Sequence, residues 1–277
     1  MSDLKRQIEE AAAAVRARAT LTPEIGIILG TGLGDFAAAL EGASIVPYRD
    51  IPHFPVSTVE SHAGELHIGR LAGRPVAVMK GRVHYYEGYT MQQVGFPVRV
   101  LKALGCSTVI VTNAVGGMNP NMPAGSIVVT TDHINLMGDN PLIGPNDDTL
   151  GPRFPDMSEP YARTLVALAE RVALEQQEPL QRAVFVAVPG PNLETAAEYR
   201  FLRWIGADVV GMSLVPENIV AVHGGQRVLA FNVVTDACLP DNLHPVNIPE
   251  ILAVAGRAAP RLNRLVTEVV RRIDQEG

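Results

Sequence analysis

The chain has 277 residues, 29 of them acidic and 23 basic, which leaves a formal charge of −6 and disfavours a nucleic-acid backbone as partner. Hydrophobic residues make up 47% and charged residues 19%, which excludes disordered, collagenous and coiled-coil classes and predicts a large core. Two cysteines, Cys106 and Cys238, stand without a CxxC or Cys/His framework, so a disulfide scaffold and a structural zinc site are both disfavoured and the compartment reads as reducing.

In chain order, Leu4, Ile8, Ala11, Ala12, Val15 and Ala19 recur at spacings of three and four, which predicts a peripheral helix within residues 1–20 with Ser2 as its N-cap. That segment is charged throughout, and no later apolar run reaches membrane-spanning length, so a soluble cytoplasmic protein without a membrane partner is expected. Short apolar runs bounded by glycine or proline follow at 25–29, 75–79, 107–112, 126–131, 183–188 and 227–235, and read as buried strands. ELHIG at 65–69 with a turn at Ala72 and Gly73 reads as the first arm of a hairpin. Amphipathic stretches at 90–104, 158–176, 194–205, 215–224 and 248–273 read as helices. The alternation predicts an α/β fold, a twisted mixed sheet flanked by helices, and no linker divides the chain, so one domain over 1–277 is expected.

In α/β sheets, ligands bind at the carboxyl ends of strands, and polar residues collect there in this chain. Gly30-Thr31-Gly32-Leu33-Gly34 follows a strand and precedes the helical-looking DFAAAL, so its backbone N–H groups and the Thr31 hydroxyl can face an oxyanion. It is not a Walker loop, and its third glycine falls one residue early for a dinucleotide fingerprint, although Asp50 stands at a suitable distance for a ribose contact. An NAD-dependent oxidoreductase is therefore the rival from another class. Arg82 can grip a phosphate with two prongs, His84 can share a proton with it, and Glu87 can orient that histidine, whereas an isolated RxH of this kind is more often a solvated loop. Asn113 and Ala114 end the most hydrophobic strand, where the following Gly116 and Gly117 also suit a tight turn. His62 and His67 are the best histidine pair, but their spacing does not converge on a metal and none is expected.

Taken together, GTGLG, ESHAGELHIG, GRVHYYEGY, TNAVGGMNP, RFPDMSEPY, GPNLETAAE and VVGMSLVPE, in this order across roughly residues 24–260, resemble the trimeric purine nucleoside phosphorylases. The resemblance implies reversible phosphorolysis of purine nucleosides, inorganic phosphate as co-substrate, no cofactor and a homotrimer. It implies phosphate contacts from Thr31, His62, Arg82, His84, Asn113, Ala114 and Ser213. Around the nucleoside it implies Tyr86, Leu193, Glu194, Val210, Gly211, Met212, Thr235, Asp236 and Ile248, with Phe154 entering from a neighbouring subunit. His84, Glu194 and Asp236 are the expected catalytic groups.

Three positions depart from the family pattern. Asp236 stands where 6-oxopurine enzymes carry asparagine, Leu193 where an aromatic often stacks on the base, and Ile248 where many members carry a histidine for the sugar 5′-hydroxyl. An ionised Asp236 suits a 6-amino group, whereas Glu194 suits the N1–H of a 6-oxopurine. The expectation leans to inosine and guanosine, with 5′-methylthioadenosine as the alternative through the apolar Ile248, and His244 as a substitute for the missing histidine.

Overall fold

The computed structural model describes residues 2–31, 33–58 and 64–274. Helix α1 (Asp3–Arg16) is capped by Ser2, whose side chain accepts from the Lys5 N–H at 3.2 Å, and it buries Ile8, Ala11, Ala12 and Val15, as the three-four spacing predicts. Strands β1 (Ile25–Ile28), β2 (Glu41–Pro47), β3 (Glu65–Leu71), β4 (Arg74–Lys80) and β5 (Thr108–Gly117) form one half of the sheet, with α2 (Met91–Leu104) between β4 and β5. The second half alternates β6 (Ile127–Asn135), α3 (Arg163–Glu175), β7 (Leu180–Ala187), α4 (Ala196–Trp204), β8 (Val209–Gly211), α5 (Val215–His223), β9 (Arg227–Ala237) and α6 (Ile248–Arg272).

Among the described residues the strands form one mixed sheet in the order β2-β3-β4-β1-β5-β8-β7-β6-β9, and a further β5–β9 pairing closes its second half into a ring. Strand β5 is the pivot: it runs parallel to β1 and β9 and, at its last two residues, antiparallel to β8. Because β9 continues beside β5 to Gly117, the carboxyl ends of β1, β5 and β9 open on the same side. Helices α1, α2 and α5 pack together, while α6 packs on α3 and on β9.

Several sequence expectations change. The hairpin forms as expected, with Leu71 opposite Arg74 and both turn residues, Ala72 and Gly73, at positive φ (50° and 81°). DFAAAL is not an α-helix: Gly34–Ala39 is a short 3₁₀ segment, so no helix N-terminus faces the glycine loop. Strand β2 was not legible because it is an edge strand, mostly exposed, held by its antiparallel pairing with β3. Strand β5 runs five residues past the apolar run, so Asn113 and Ala114 lie inside it. The helix expected from 158 begins only at Arg163, beyond Pro160 and the buried Tyr161.

Candidate functional site

The chain crosses from β1 to the glycine loop where Gly30 lies against β5. A Cβ on Gly30 would stand 2.6 Å from the Thr112 carbonyl oxygen, so only glycine allows this approach. The Gly30 N–H donates to Thr112 Oγ1 (3.1 Å), and that hydroxyl donates to the Ile28 carbonyl (3.2 Å), which ties the Thr31 loop to β5.

Arg82 follows β4 and is 3% exposed. Its Nη1 donates to Asn113 Oδ1 (2.8 Å) and to Glu217 Oε1 (3.2 Å), and its Nη2 donates to the Thr112 carbonyl. Asn113 is held in turn: its Nδ2 donates to Asn232 Oδ1 (2.8 Å), Asn232 donates to Thr130 Oγ1 (2.7 Å), and Ser213 Oγ donates to Asn113 Oδ1 (3.2 Å). A chain of hydrogen-bonded, mostly buried polar groups therefore orients Arg82 and Ser213 from three strands. Ser213 is further placed by a γ-turn at Leu214 (φ 68°, ψ −54°), closed by the Val215 N–H on the Ser213 carbonyl at 2.8 Å.

His84 stacks on Tyr86, with ring centroids 4.7 Å apart and planes 13° apart. Glu87 accepts from His84 N–H (2.7 Å), meets His84 Nδ1 (3.0 Å) and accepts from the Thr58 N–H (2.7 Å) and hydroxyl (2.8 Å). Burial alone would raise its pKa, but these hydrogen bonds outweigh burial and hold the carboxyl down at about 2. Glu87 therefore stays ionised, orients His84 as its spacing suggests, and holds Thr58 through the backbone N–H and the hydroxyl. Tyr86 is pushed up to about 12 by burial and by Glu87, so it remains a neutral phenol.

At the opposite end, Asp236 accepts from Thr235 Oγ1 (2.8 Å) and from Cys238 Sγ (3.2 Å). Burial raises the Glu194 pKa above the ordinary carboxylate value; the hydrogen bond from Tyr199 opposes the rise, while the charges of Glu198 and Asp236 add to it. Burial likewise raises the Cys238 thiol, so it is a protonated donor.

Thr31, Arg82, His84, Asn113, Ala114 and Ser213 line one cavity of about 200 Å³ together with Tyr86, Leu193, Glu194, Val210, Gly211, Met212, Thr235 and Asp236. An adjoining space of about 440 Å³ shares Leu193, Glu194, Thr235 and Asp236 and reaches His244. Six separate strand ends converge as the sequence suggests. His62 lies outside the described residues. Ile248 does not line either space: it is 55% exposed at the start of α6, and Ile251, one turn on, presents the apolar side chain instead. Phe154 is 86% exposed and lines neither space, with the Arg153 guanidinium 5.6 Å from its ring centroid. Asp50 meets Arg18 and Arg49 (both 3.9 Å) on the surface, away from the cavity; with the 3₁₀ segment after the glycine loop, this leaves the dinucleotide alternative without a site.

Tyr199, Cys238, Ile251 and Glu217 are additions the sequence reading missed. Cys238 had a signal, since it follows Asp236 by two residues, the period of one strand face. Tyr199 and Glu217 had none, because their value depends on partners in distant strands.

An arginine, a histidine and two hydroxyls lining one mixed-sheet cleft together with two carboxylates define the kind of site. Residues 24–271 match the Phosphorylase superfamily. Within it, the chain is 49% identical over 267 residues to purine nucleoside phosphorylase 1 of Bacillus subtilis, covering 96% of this chain and 98% of that one. The purine nucleoside phosphorylase isoform 2 of Schistosoma mansoni, solved with cytosine and ribose-1-phosphate, superposes with a TM-score of 0.94 at 38% identity, covering 98% of both chains. A Schistosoma purine nucleoside phosphorylase solved with hypoxanthine gives 0.92 at 39% identity, covering 97% of both. The chain belongs to the purine nucleoside phosphorylase family.

Proposed function

We propose that the protein catalyses the reversible phosphorolysis of purine ribonucleosides and deoxyribonucleosides. An oxygen of hydrogen phosphate forms a bond to C1′ as the C1′–N9 bond breaks, the electron pair leaves with the base, the base takes up a proton to replace the one the phosphate loses, and the products are a free purine and a pentose 1-phosphate. The observation that carries this reading is the single cavity with Thr31, Arg82, His84, Ala114 and Ser213 at one end and Glu194 with Asp236 at the other.

Positive charge grows on the sugar in the transition state and negative charge on the purine. A phosphate dianion held by Arg82, the Thr31 and Ser213 hydroxyls and the Ala114 N–H stabilises the sugar from below, and hydrogen bonds to the departing base stabilise the purine. Holding both reactants in one site supplies on the order of 7 kcal/mol where the alignment is good. Tyr86 and Met212 face the sugar, and Glu194 accepts the purine N1–H, which favours inosine and guanosine. The electron and atom balance needs no cofactor or metal. The remaining elements of the proposal are a cytoplasmic homotrimer in which Phe154 covers a neighbour's sugar site, and His62 near the phosphate. A second reading, phosphorolysis of 5′-methylthioadenosine, draws support from Ile251, whose apolar side chain lines the cleft where Ile248 does not.

Release of free base from inosine, guanosine, adenosine and 5′-methylthioadenosine, each with and without inorganic phosphate, tests the reading. Phosphate-dependent release with inosine or guanosine fastest is expected; release that proceeds equally without phosphate overturns it.

A further inference from the structure

Glu217, in the first turn of α5, is buried to 3% exposure and pairs with the equally buried Arg82 through one oxygen, Oε1. Its other oxygen, Oε2, is buried and has no hydrogen-bond partner among the described residues. A carboxylate whose role was to orient a guanidinium would offer both oxygens to the fork. Here the orientation is supplied by neutral acceptors instead: Asn113 Oδ1 takes Nη1, the Thr112 carbonyl takes Nη2, and Asn113 is itself locked by Asn232. What Glu217 adds is charge. Burial depresses the Arg82 pKa, and Glu217 is the first of the groups that oppose this, ahead of the phenols Tyr86 and Tyr48. The same carboxylate stands beside the cation that the incoming oxyanion must use.

We propose that Glu217 is the resident counter-anion of Arg82 and a positioning residue that weakens phosphate binding, keeping a buried arginine compensated while the cavity is empty. The proposal rests on the phosphorolysis reading above. An oxyanion that enters meets a pair of net zero charge instead of a bare cation, so affinity for phosphate and for the phosphorylated product is held down and product release is eased.

The test is Glu217→Gln, whose amide oxygen still accepts from Arg82 while the charge is removed. The KM for phosphate is expected to fall about tenfold at unchanged KM for inosine, the size of one charge–charge interaction in a protein interior. The melting temperature without phosphate is expected to drop, and saturating phosphate to raise it by more than in the wild type. Should this variant not fold, Glu217→Asp keeps the charge but draws it back from Nη1, and a fall of about two- to threefold in phosphate KM is expected. An unchanged or raised phosphate KM in the folded variant, with only the melting temperature lowered, overturns the proposal and leaves Glu217 a structural ion pair. Wild-type turnover that needs no phosphate overturns the functional reading itself.

Discussion

At the residue scale, the two carboxylates of the proposed base pocket pull in opposite directions. Asp236 accepts hydrogen bonds at both oxygens, from Thr235 and from Cys238, so its lone pairs are aimed by the protein before any purine arrives. An acceptor facing O6 of a 6-oxopurine is a mispairing that costs about 1–3 kcal/mol, whereas an asparagine can donate there. Replacing Asp236 by Asn should therefore raise the inosine-to-adenosine ratio of kcat/KM by about 5- to 150-fold; an unchanged ratio means that Asp236 does not discriminate. Glu194 makes a prediction about pH. Burial raises its pKa, so the carboxylate is the form penalised in the folded state, and this penalty appears as pH rises through the raised value. Under the proposed reaction, activity has the reverse dependence: ionised Glu194 would accept N1–H, and the protonated acid would donate to the N1 lone pair of adenine. The inosine-to-adenosine kcat/KM ratio should thus fall as pH is lowered through a pKa above the ordinary glutamate value, and Glu194→Gln should abolish that limb.

At the element scale, the cap of α4 matters because Glu194 is the residue just before it. Thr195 accepts from the Glu198 N–H (3.2 Å), and Glu198 accepts from the Thr195 N–H (2.7 Å) and hydroxyl (2.9 Å), a reciprocal box that fixes where the helix starts. Thr195→Ala should cost about 1 kcal/mol, read as a loss of roughly 2–4 °C in Tm. It should also lower kcat/KM for inosine, because the freed helix start lets Glu194 wander; a stability loss with intact kinetics would show the cap to be irrelevant to the site. Of the two caps, that of α1 at Ser2 was legible in the sequence, since it is a local pattern. The edge strand β2 was not, because its pairing with β3 supplies what its own residues lack.

At the scale of the whole molecule, the ring closed by the β5–β9 pairing brings Asn113, Ser213 and Asp236 to one cleft, and the β4-β1-β5 order adds Arg82 from outside the ring. Phe154 is left outside it, 86% exposed. Leaving such a ring in water forgoes about 1.5–3 kcal/mol of burial, which an adjoining subunit can recover. The protein should sediment as a trimer, and Phe154→Ala should raise the KM for inosine while leaving the phosphate KM unchanged. A monomer at micromolar concentration with full kcat excludes a role for Phe154 in a neighbour's pocket.

By itself the sequence determined most of the strands and helices, the Ser2 cap and most of the polar residues at the strand ends, because apolar period, N-caps and glycine turns are set by residues a few positions apart. It also carried the family's motifs. Only the tertiary structure decided that Ile251 and not Ile248 faces the cleft, and that Glu217 meets Arg82 across 135 positions of chain. Those placements follow from how the sheet orders its strands and which helix packs on it, and no local pattern encodes a contact between Arg82, which follows β4, and Glu217 on α5.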